Sequence, residues 1–351
     1  MLKRFDSNLS RILASILIFS HCCLCALQAQ NNERIKVSLL KQNVICSMGI
    51  ARGNYSGITH IKNDTFAIIS DKAAIDGGII KYIKISQSPE TGRIISIKDI
   101  TPVSFNIHSS LVKDDCEDIA YNEHTNTVFI CSESKQSIKE YTLQAHPTGR
   151  KLNIPSLFAM SNITSNKGFE AIAYDANKKE YWTITEANLK SDANNETMQM
   201  TLRLQSFDST LVSRSQYIYQ TDTPKYSGKY KEYAFGVPAI LSLGNGTLFV
   251  MEREMCIKNE FLGSFSETKI FIVRPETDNE KLSKTKVCSF STHLNLTKMN
   301  IANYEGMCLG TKLCDGRQTV ILISDSQNGA GNCIYRLKDY LKVLIIGEKE
   351  Q

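Results

Sequence analysis

The apolar residues of this chain fall into short runs, and helical stripes are almost absent. One unit recurs. It opens with a small or acidic pair and an apolar residue, passes a polar turn, and ends in an apolar run capped by an acid. The copies are Ser56-Gly57-Ile58 with Phe66-Ala67-Ile68-Ile69-Ser70-Asp71, and Glu117-Asp118-Ile119-Ala120 with Val128-Phe129-Ile130-Cys131-Ser132-Glu133. Glu170-Ala171-Ile172-Ala173 follows with Tyr181-Trp182-Thr183-Ile184-Thr185-Glu186, and Glu305-Gly306-Met307-Cys308 with Val320-Ile321-Leu322-Ile323-Ser324-Asp325. A weaker copy pairs Pro238-Ala239-Ile240-Leu241 with Leu248-Phe249-Val250-Met251-Glu252. The turns between the halves are of hairpin type, such as Lys62-Asn63-Asp64 and Gly244-Asn245-Gly246.

The units start at 56, 117, 170, 238 and 305, so they are 61, 53, 68 and 67 residues apart. Each continues with two alternating segments, 79–85 and 94–100 in the first. Four short strands in one period are the signature of a propeller blade. The near-continuous runs suit inner strands covered on both faces, and the alternating segments suit outer strands that meet water. Residues 35–44 read as a leading strand that closes the last blade and removes its exposed edge. Residues 339–343 suggest one helical turn at most. The expected fold is an all-β propeller of four-stranded blades. Five repeats are detected, and 186–238 leaves room for a sixth, degenerate blade.

At 351 residues the chain exceeds the size at which a single core stops growing, which a ring of repeats accommodates. Lys3, Arg4 and Arg11, an apolar stretch over 12–19, and Ala26-Leu27-Gln28-Ala29 have the pattern of an export signal cut after Ala29. The expected layout is a signal peptide over 1–29 and one propeller domain over 30–351, exported to the periplasm or secreted. That stretch falls short of the ~20 apolar residues a membrane span needs, and no later segment resembles one. Removing 1–29 takes away three basic residues and Asp6, which lowers the formal charge from +5 to +3. Charge so low and dispersed argues against nucleic acid as a partner. Eight cysteines remain, Cys46, Cys116, Cys131, Cys256, Cys288, Cys308, Cys314 and Cys333, open to bridges or to buried free thiols.

In a propeller the inner strands line one channel, so acids at matching blade positions converge. The first-position set is Glu117, Glu170 and Glu305, interrupted by Ser56 and Pro238. The strand-end set is Asp71, Glu133, Glu186, Glu252 and Asp325. Eight crowded acids repel unless cations neutralise them or some stay protonated. That many hard oxygen ligands suit a divalent cation such as Ca²⁺ or Mg²⁺ better than zinc. Expected metal ligands are Glu117, Glu170, Glu252, Glu305, Asp71 and Asp325. Arg253 is the cation placed to grip a phosphate or carboxylate, or to pair with a neighbouring acid. Six scattered histidines, no nucleophile elbow, and no Walker or dinucleotide motif leave other chemistries without a signature.

The ordered segments Tyr55-Ser56-Gly57-Ile58, Asp115-Cys116-Glu117-Asp118-Ile119-Ala120, Gly168-Phe169-Glu170-Ala171-Ile172-Ala173, Leu248-Phe249-Val250-Met251-Glu252-Arg253 and Asn303-Tyr304-Glu305-Gly306-Met307 resemble the phytase-like domain family, described as "esterase-like activity of phytase". The likeness runs from about residue 50 to residue 337. It implies a propeller with recurrent acids and a metal-assisted esterase or phosphodiesterase activity. Departures are Asp118 and Ala171, where the family tends to glycine, and Pro238 in place of an acid. The expected function is cleavage of small phosphate esters, phosphodiesters or another anionic substrate, with Glu117, Glu170, Glu305 and Arg253 as catalytic residues. A non-catalytic propeller that binds a glycan, peptide or protein is the alternative, and a lactonase-like hydrolase is a third option.

Overall fold

The computed structural model describes residues 35–71, 79–102, 115–194, 197–226, 228–259, 261–276, 281–331 and 335–347. The expected signal peptide and its cleavage site lie outside them. Two short N-terminal strands, β1 (Val37–Leu39) and β2 (Asn43–Val44), precede five antiparallel sheets. Blade one is β3 (Tyr55–Lys62), β4 (Thr65–Ser70), β5 (Ile80–Gln87) and β6 (Ile94–Asp99). Blade two is β7 (Cys116–Asn122), β8 (Thr127–Ser132), β9 (Ser137–Thr142) and β10 (Pro147–Lys151). Blade three is β11 (Phe169–Asp175), β12 (Glu180–Thr185), β13 (Thr201–Phe207) and β14 (Ser213–Gln220). Blade four is β15 (Glu232–Gly244), β16 (Thr247–Ile257), β17 (Ser264–Val273) and β18 (Lys284–Leu294). Blade five is β19 (Asn303–Lys312), β20 (Gln318–Asp325) and β21 (Tyr340–Ile346), with β1 and β2 added along β21.

The protein is therefore a five-bladed propeller. The stretch that left room for a sixth blade holds β13 and β14, which complete blade three. Residues 339–343 run into β21, where a helical turn was expected. The run Tyr340-Leu341-Lys342-Val343-Leu344-Ile345-Ile346 lies between β20 and β1 and is buried along nearly its whole length. A seven-residue run rich in branched apolar side chains suits a strand covered on both faces. The closure by an N-terminal strand is as expected, with Val37 opposite Ile346 and Val44 opposite Tyr340.

The core lies between the blades. Ile58 and Ile68 of blade one pack with Ile321 and Ile323 of blade five. Val128 and Ile130 of blade two pack with Ala67 and Ile69, and Phe129 with Tyr181 of blade three. Each second strand thus feeds two such layers at once, which is why its apolar run is continuous. The described thiols of Cys46, Cys131, Cys256, Cys288, Cys308 and Cys314 are free. Among the described residues no helix is long and apolar enough to cross a membrane.

Blade four departs from the others. Its strands have 13, 11, 10 and 11 residues, against 8, 6, 8 and 6 in blade one. At about 3.3 Å per residue the surplus extends this blade by roughly 10 Å or more.

Candidate functional site

Every inner strand carries a register shift at the repeat position that the sequence singles out. Tyr55 faces Ser70 and Gly57 faces Ile69, so Ser56 is the extra residue. In the same way Glu170 lies between the pairs Phe169–Thr185 and Ala171–Ile184, and Glu305 between Tyr304–Ser324 and Gly306–Ile323. In blade two the shift spans Glu117 and Asp118. In blade four it spans Val237 and Pro238. A bulge gives one strand an unpaired residue and re-aims its side chain. Here it turns the first-position acids out of the ladder and toward a common cavity.

That cavity holds ≈ 590 Å³ and is lined by Asp71, Glu117, Glu170, Glu186, Arg253, Glu305 and Asp325, together with Asn54 and Lys167. Three first-position acids and three strand-end acids, from four blades, therefore share one space with Arg253 of the remaining blade. The overhang of blade four supplies Glu232, Tyr233, Ala234 and Met255 as a further wall.

Glu252 is not part of this group. Its carboxylate accepts hydrogen bonds from Tyr219 Oη at 2.7 Å, the Asp222 amide at 3.0 Å and Lys284 Nζ at 2.6 Å. The reason is register. Ala239 faces Met251 as Ala171 faces Ile184, so Glu252 matches Thr185 and Arg253 matches Glu186. Blade four thus presents an arginine at the strand-end position. A one-residue step along a strand sends a side chain to the opposite face, and Glu252 accordingly packs against blade three.

Arg253 ties two blades together. Its Nη1 donates to Glu305 Oε1 at 2.8 Å and Asn303 Oδ1 at 2.6 Å, and its Nη2 donates to Glu186. Burial works against the guanidinium charge, but the carboxylates of Glu186, Glu305 and Glu170 outweigh it and hold the group above its ordinary pKa. Among the described residues that line the cavity, seven carboxylates stand with two cationic side chains, Arg253 and Lys167. Burial, reinforced by Glu305, Glu133, Asp115 and Asp71, pushes Glu117 well above the carboxylate range. Glu170 rises by burial and by the charges of Glu117, Glu186 and Glu305. Asp325 rises by burial, then by Glu305 and Asp71. Glu305 reaches about 7, raised by burial and held back by Arg253.

Such a set holds protons or cations. Carboxylate oxygens of Asp115, Glu117 and Glu133 lie within 4.8 Å of one another. A second observation comes from Asn54. This buried residue lines the cavity, and its Oδ1 has no hydrogen-bond partner among the described residues. A buried carbonyl oxygen without a donor, set among carboxylates, is a hard ligand that fits Ca²⁺ or Mg²⁺.

Asn54, Asp115 and Asn303 were missed as site residues, although they share a repeat position two residues before the bulge. The backbone carbonyls of Asn54, Asp115 and Gly168 accept from the amides of Asp71, Glu133 and Glu186 at 3.0, 2.9 and 2.8 Å. Asn303 faces Asp325 and Gly236 faces Arg253. The pattern of two polar amides and an acid at matching offsets was present in the sequence. Lys167 and the blade-four wall have no counterpart in other repeats, so no repeat argument finds them.

A five-bladed propeller whose blades converge on one carboxylate-rich cavity defines the class. Within it the chain belongs to the Phytase-like family, because the profile described as "Esterase-like activity of phytase" matches residues 50–327. At that level it is a hydrolase-like propeller protein. No curated protein matches the chain. Among solved structures it is similar to a luciferin-regenerating enzyme, with 9% identity, 89% of this chain and 96% of that one covered, and a TM-score of 0.40. It is also similar to streptogramin B lyase, with 13% identity, coverage of 89% and 98%, and a TM-score of 0.35. Likeness this distant carries nothing about chemistry.

Proposed function

We propose that this protein is an exported, divalent-cation-dependent hydrolase of phosphate esters or phosphodiesters. The observation that supports this most is the convergence of six repeat-position carboxylates with Arg253 and the unpartnered Asn54 Oδ1 on one cavity. Asn54, Asp71, Glu117, Glu305 and Asp325, with Asp115 and Glu133 beside them, are the residues that would hold the cation. When bound, such an ion polarises a phosphoryl oxygen and lowers the pKa of a coordinated water. Glu305 accepts hydrogen bonds from Arg253 Nη1 and the Asn303 side-chain amide, which would fix its carboxylate beside the cation. Arg253, with Lys167 at the same cavity, supplies positive charge against an anionic substrate. Glu170, whose pKa burial and the neighbouring acids raise, lines the same cavity and is placed to meet the cation or the substrate.

The test uses purified protein beginning at Gln30, the residue that follows the proposed cut. Generic phosphomonoesters and phosphodiesters are offered with EDTA, and then with added Ca²⁺, Mg²⁺ or Mn²⁺. Turnover that is lost with EDTA and restored by one of these ions is expected. No turnover with any ion would overturn the enzyme reading and leave a binding propeller. Mass spectrometry of the protein recovered from the periplasm or medium should show Gln30 as the first residue.

A further inference from the structure

We infer that Asp339 is a positioning residue of the cation site, whose buried carboxylate sets Asn54 and Asp325 relative to each other across the seam where blade five packs on blade one. The inference rests on the divalent-cation reading above and deepens it. Asp339 stands immediately before β21 and is 2% exposed. Its Oδ2 accepts from the Gly53 amide at 3.1 Å, one residue before Asn54. Its Oδ1 accepts from the Ser326 amide at 3.0 Å, one residue after Asp325. Ser326 Oγ donates to the Gly53 carbonyl at 2.7 Å and closes the clasp. Two residues that line the cavity thus lie next to amides bound by one carboxylate.

A comparison between blades shows what this clasp releases. Between blades two and three the strand-end acid makes the tie itself, since Glu133 Oε1 accepts from the Gly168 amide at 2.7 Å. At the seam Asp339 makes it, and the strand-end acid Asp325 lines the cavity. Asp339 is fixed in turn by the N-terminal segment, because its carbonyl accepts from the Ile45 amide at 3.0 Å. Gly53 has little sideways freedom, as a Cβ there would lie 2.7 Å from the ring of buried Tyr55. On the far side the Asn54 carbonyl accepts from the Asp71 amide at 3.0 Å. Asn54 therefore presents its Oδ1, which has no hydrogen-bond partner among the described residues, from a backbone held at both ends. Groups that hold metal ligands by hydrogen bonds are worth roughly ten- to hundredfold in metal affinity, because a misplaced ligand yields its place to water.

Calorimetric Ca²⁺ titration of the protein beginning at Gln30 tests this without turnover. Asp339→Asn keeps the shape, loses one acceptor, and should weaken Ca²⁺ binding roughly tenfold or more. Ser326→Ala removes only the Oγ bond, should weaken binding less, and carries the test if Asp339→Asn does not fold. Eu³⁺ bound in place of Ca²⁺ should hold more coordinated water in Asp339→Asn than in the wild type, read from luminescence lifetimes in H₂O and D₂O. Because Asp339 acts through Asn54, the double variant with Asn54→Ala should lose less than the product of the two single losses. Glu252→Gln is the destabilised control and should change neither affinity nor hydration. A lower melting temperature in Asp339→Asn with unchanged affinity and hydration would overturn the inference and leave the cation reading in place, and so would losses that simply multiply. If the wild type binds no ion, the cation reading fails, and NMR of the Asn54 side-chain amide in EDTA judges Asp339 by itself. A shift in Asp339→Asn that Glu252→Gln does not produce would support the positioning role, and an unchanged signal would end it.

Discussion

Arg253 on blade four and Glu305 on blade five meet at 2.8 Å inside the acid cavity, with Glu186 of blade three on the other side of the guanidinium. Two buried carboxylates therefore share one buried cation, and Glu186 also pairs with Lys167. Arg253→Gln should lower stability in EDTA by about 3–5 kcal/mol, the cost of leaving buried charges unpaired. Saturating Ca²⁺ should recover part of that loss by supplying the missing positive charge. Thermal unfolding in EDTA and in Ca²⁺ measures both. An unchanged melting temperature in EDTA would show that the bridge contributes nothing.

The raised acids set the pH dependence of the metal-free protein. Glu305 moves from an ordinary 4.5 to about 7 on folding, so between these values the folded state holds a proton that the unfolded state has released. Stability is therefore fully present below about 4.5 and falls as pH rises toward 7. The contribution of this group is on the order of 3 kcal/mol. Glu117, Glu170 and Asp325 act in the same direction. In EDTA the melting temperature should drop between pH 5 and 7.5, and bound Ca²⁺ should flatten that slope. A rise over this range in EDTA would contradict the burial of these groups as acids.

Asn54 and Glu252 separate ion binding from scaffold. Asn54→Ala removes a proposed ligand and should weaken Ca²⁺ binding roughly tenfold or more, with little loss of stability, because its Oδ1 makes no hydrogen bond among the described residues. Glu252→Gln should leave Ca²⁺ affinity unchanged and cost about 1–3 kcal/mol through its bonds to Tyr219, Asp222 and Lys284. Calorimetric Ca²⁺ titration alongside thermal unfolding gives both numbers, and the reverse pattern would restore Glu252 to the site.

Asp118 is a structural carboxylate directly beside a site residue. It is buried, and it accepts from the Ile119 amide at 2.8 Å and the Ile172 amide of the next blade at 3.0 Å. Asp118→Ala strands two buried donors and should cost about 1–3 kcal/mol, with Asp118→Asn losing less because one acceptor remains. Denaturant unfolding of both variants checks the order. Equal stability of wild type and Asp118→Ala would remove the cross-blade tie.

Local information carried much of this architecture. Repeated hairpin turns and apolar runs of one strand's length specify a blade, and a blade cannot bury its faces alone, so recurrence leads to a ring. Acids recurring at one offset then predict convergence, and Glu117, Glu170, Glu305, Asp71 and Asp325 do line one cavity. Register and closure are different. Glu252 and Arg253 are adjacent, each a plausible strand-end residue, and only the pairing of Ala239 with Met251 decides which faces the axis. Residues 340–346 are a strand because β1 and β20 flank them from opposite ends of the chain. Asp118 has its partner in another blade, and Arg253 of the fourth blade meets carboxylates of the third and fifth. Side-chain period and turn chemistry act over a few residues, so the sequence by itself determined the blades and most of the acid ring. Pairing, overhang and cross-blade ties depend on contacts between distant segments, and those only the closed ring decided.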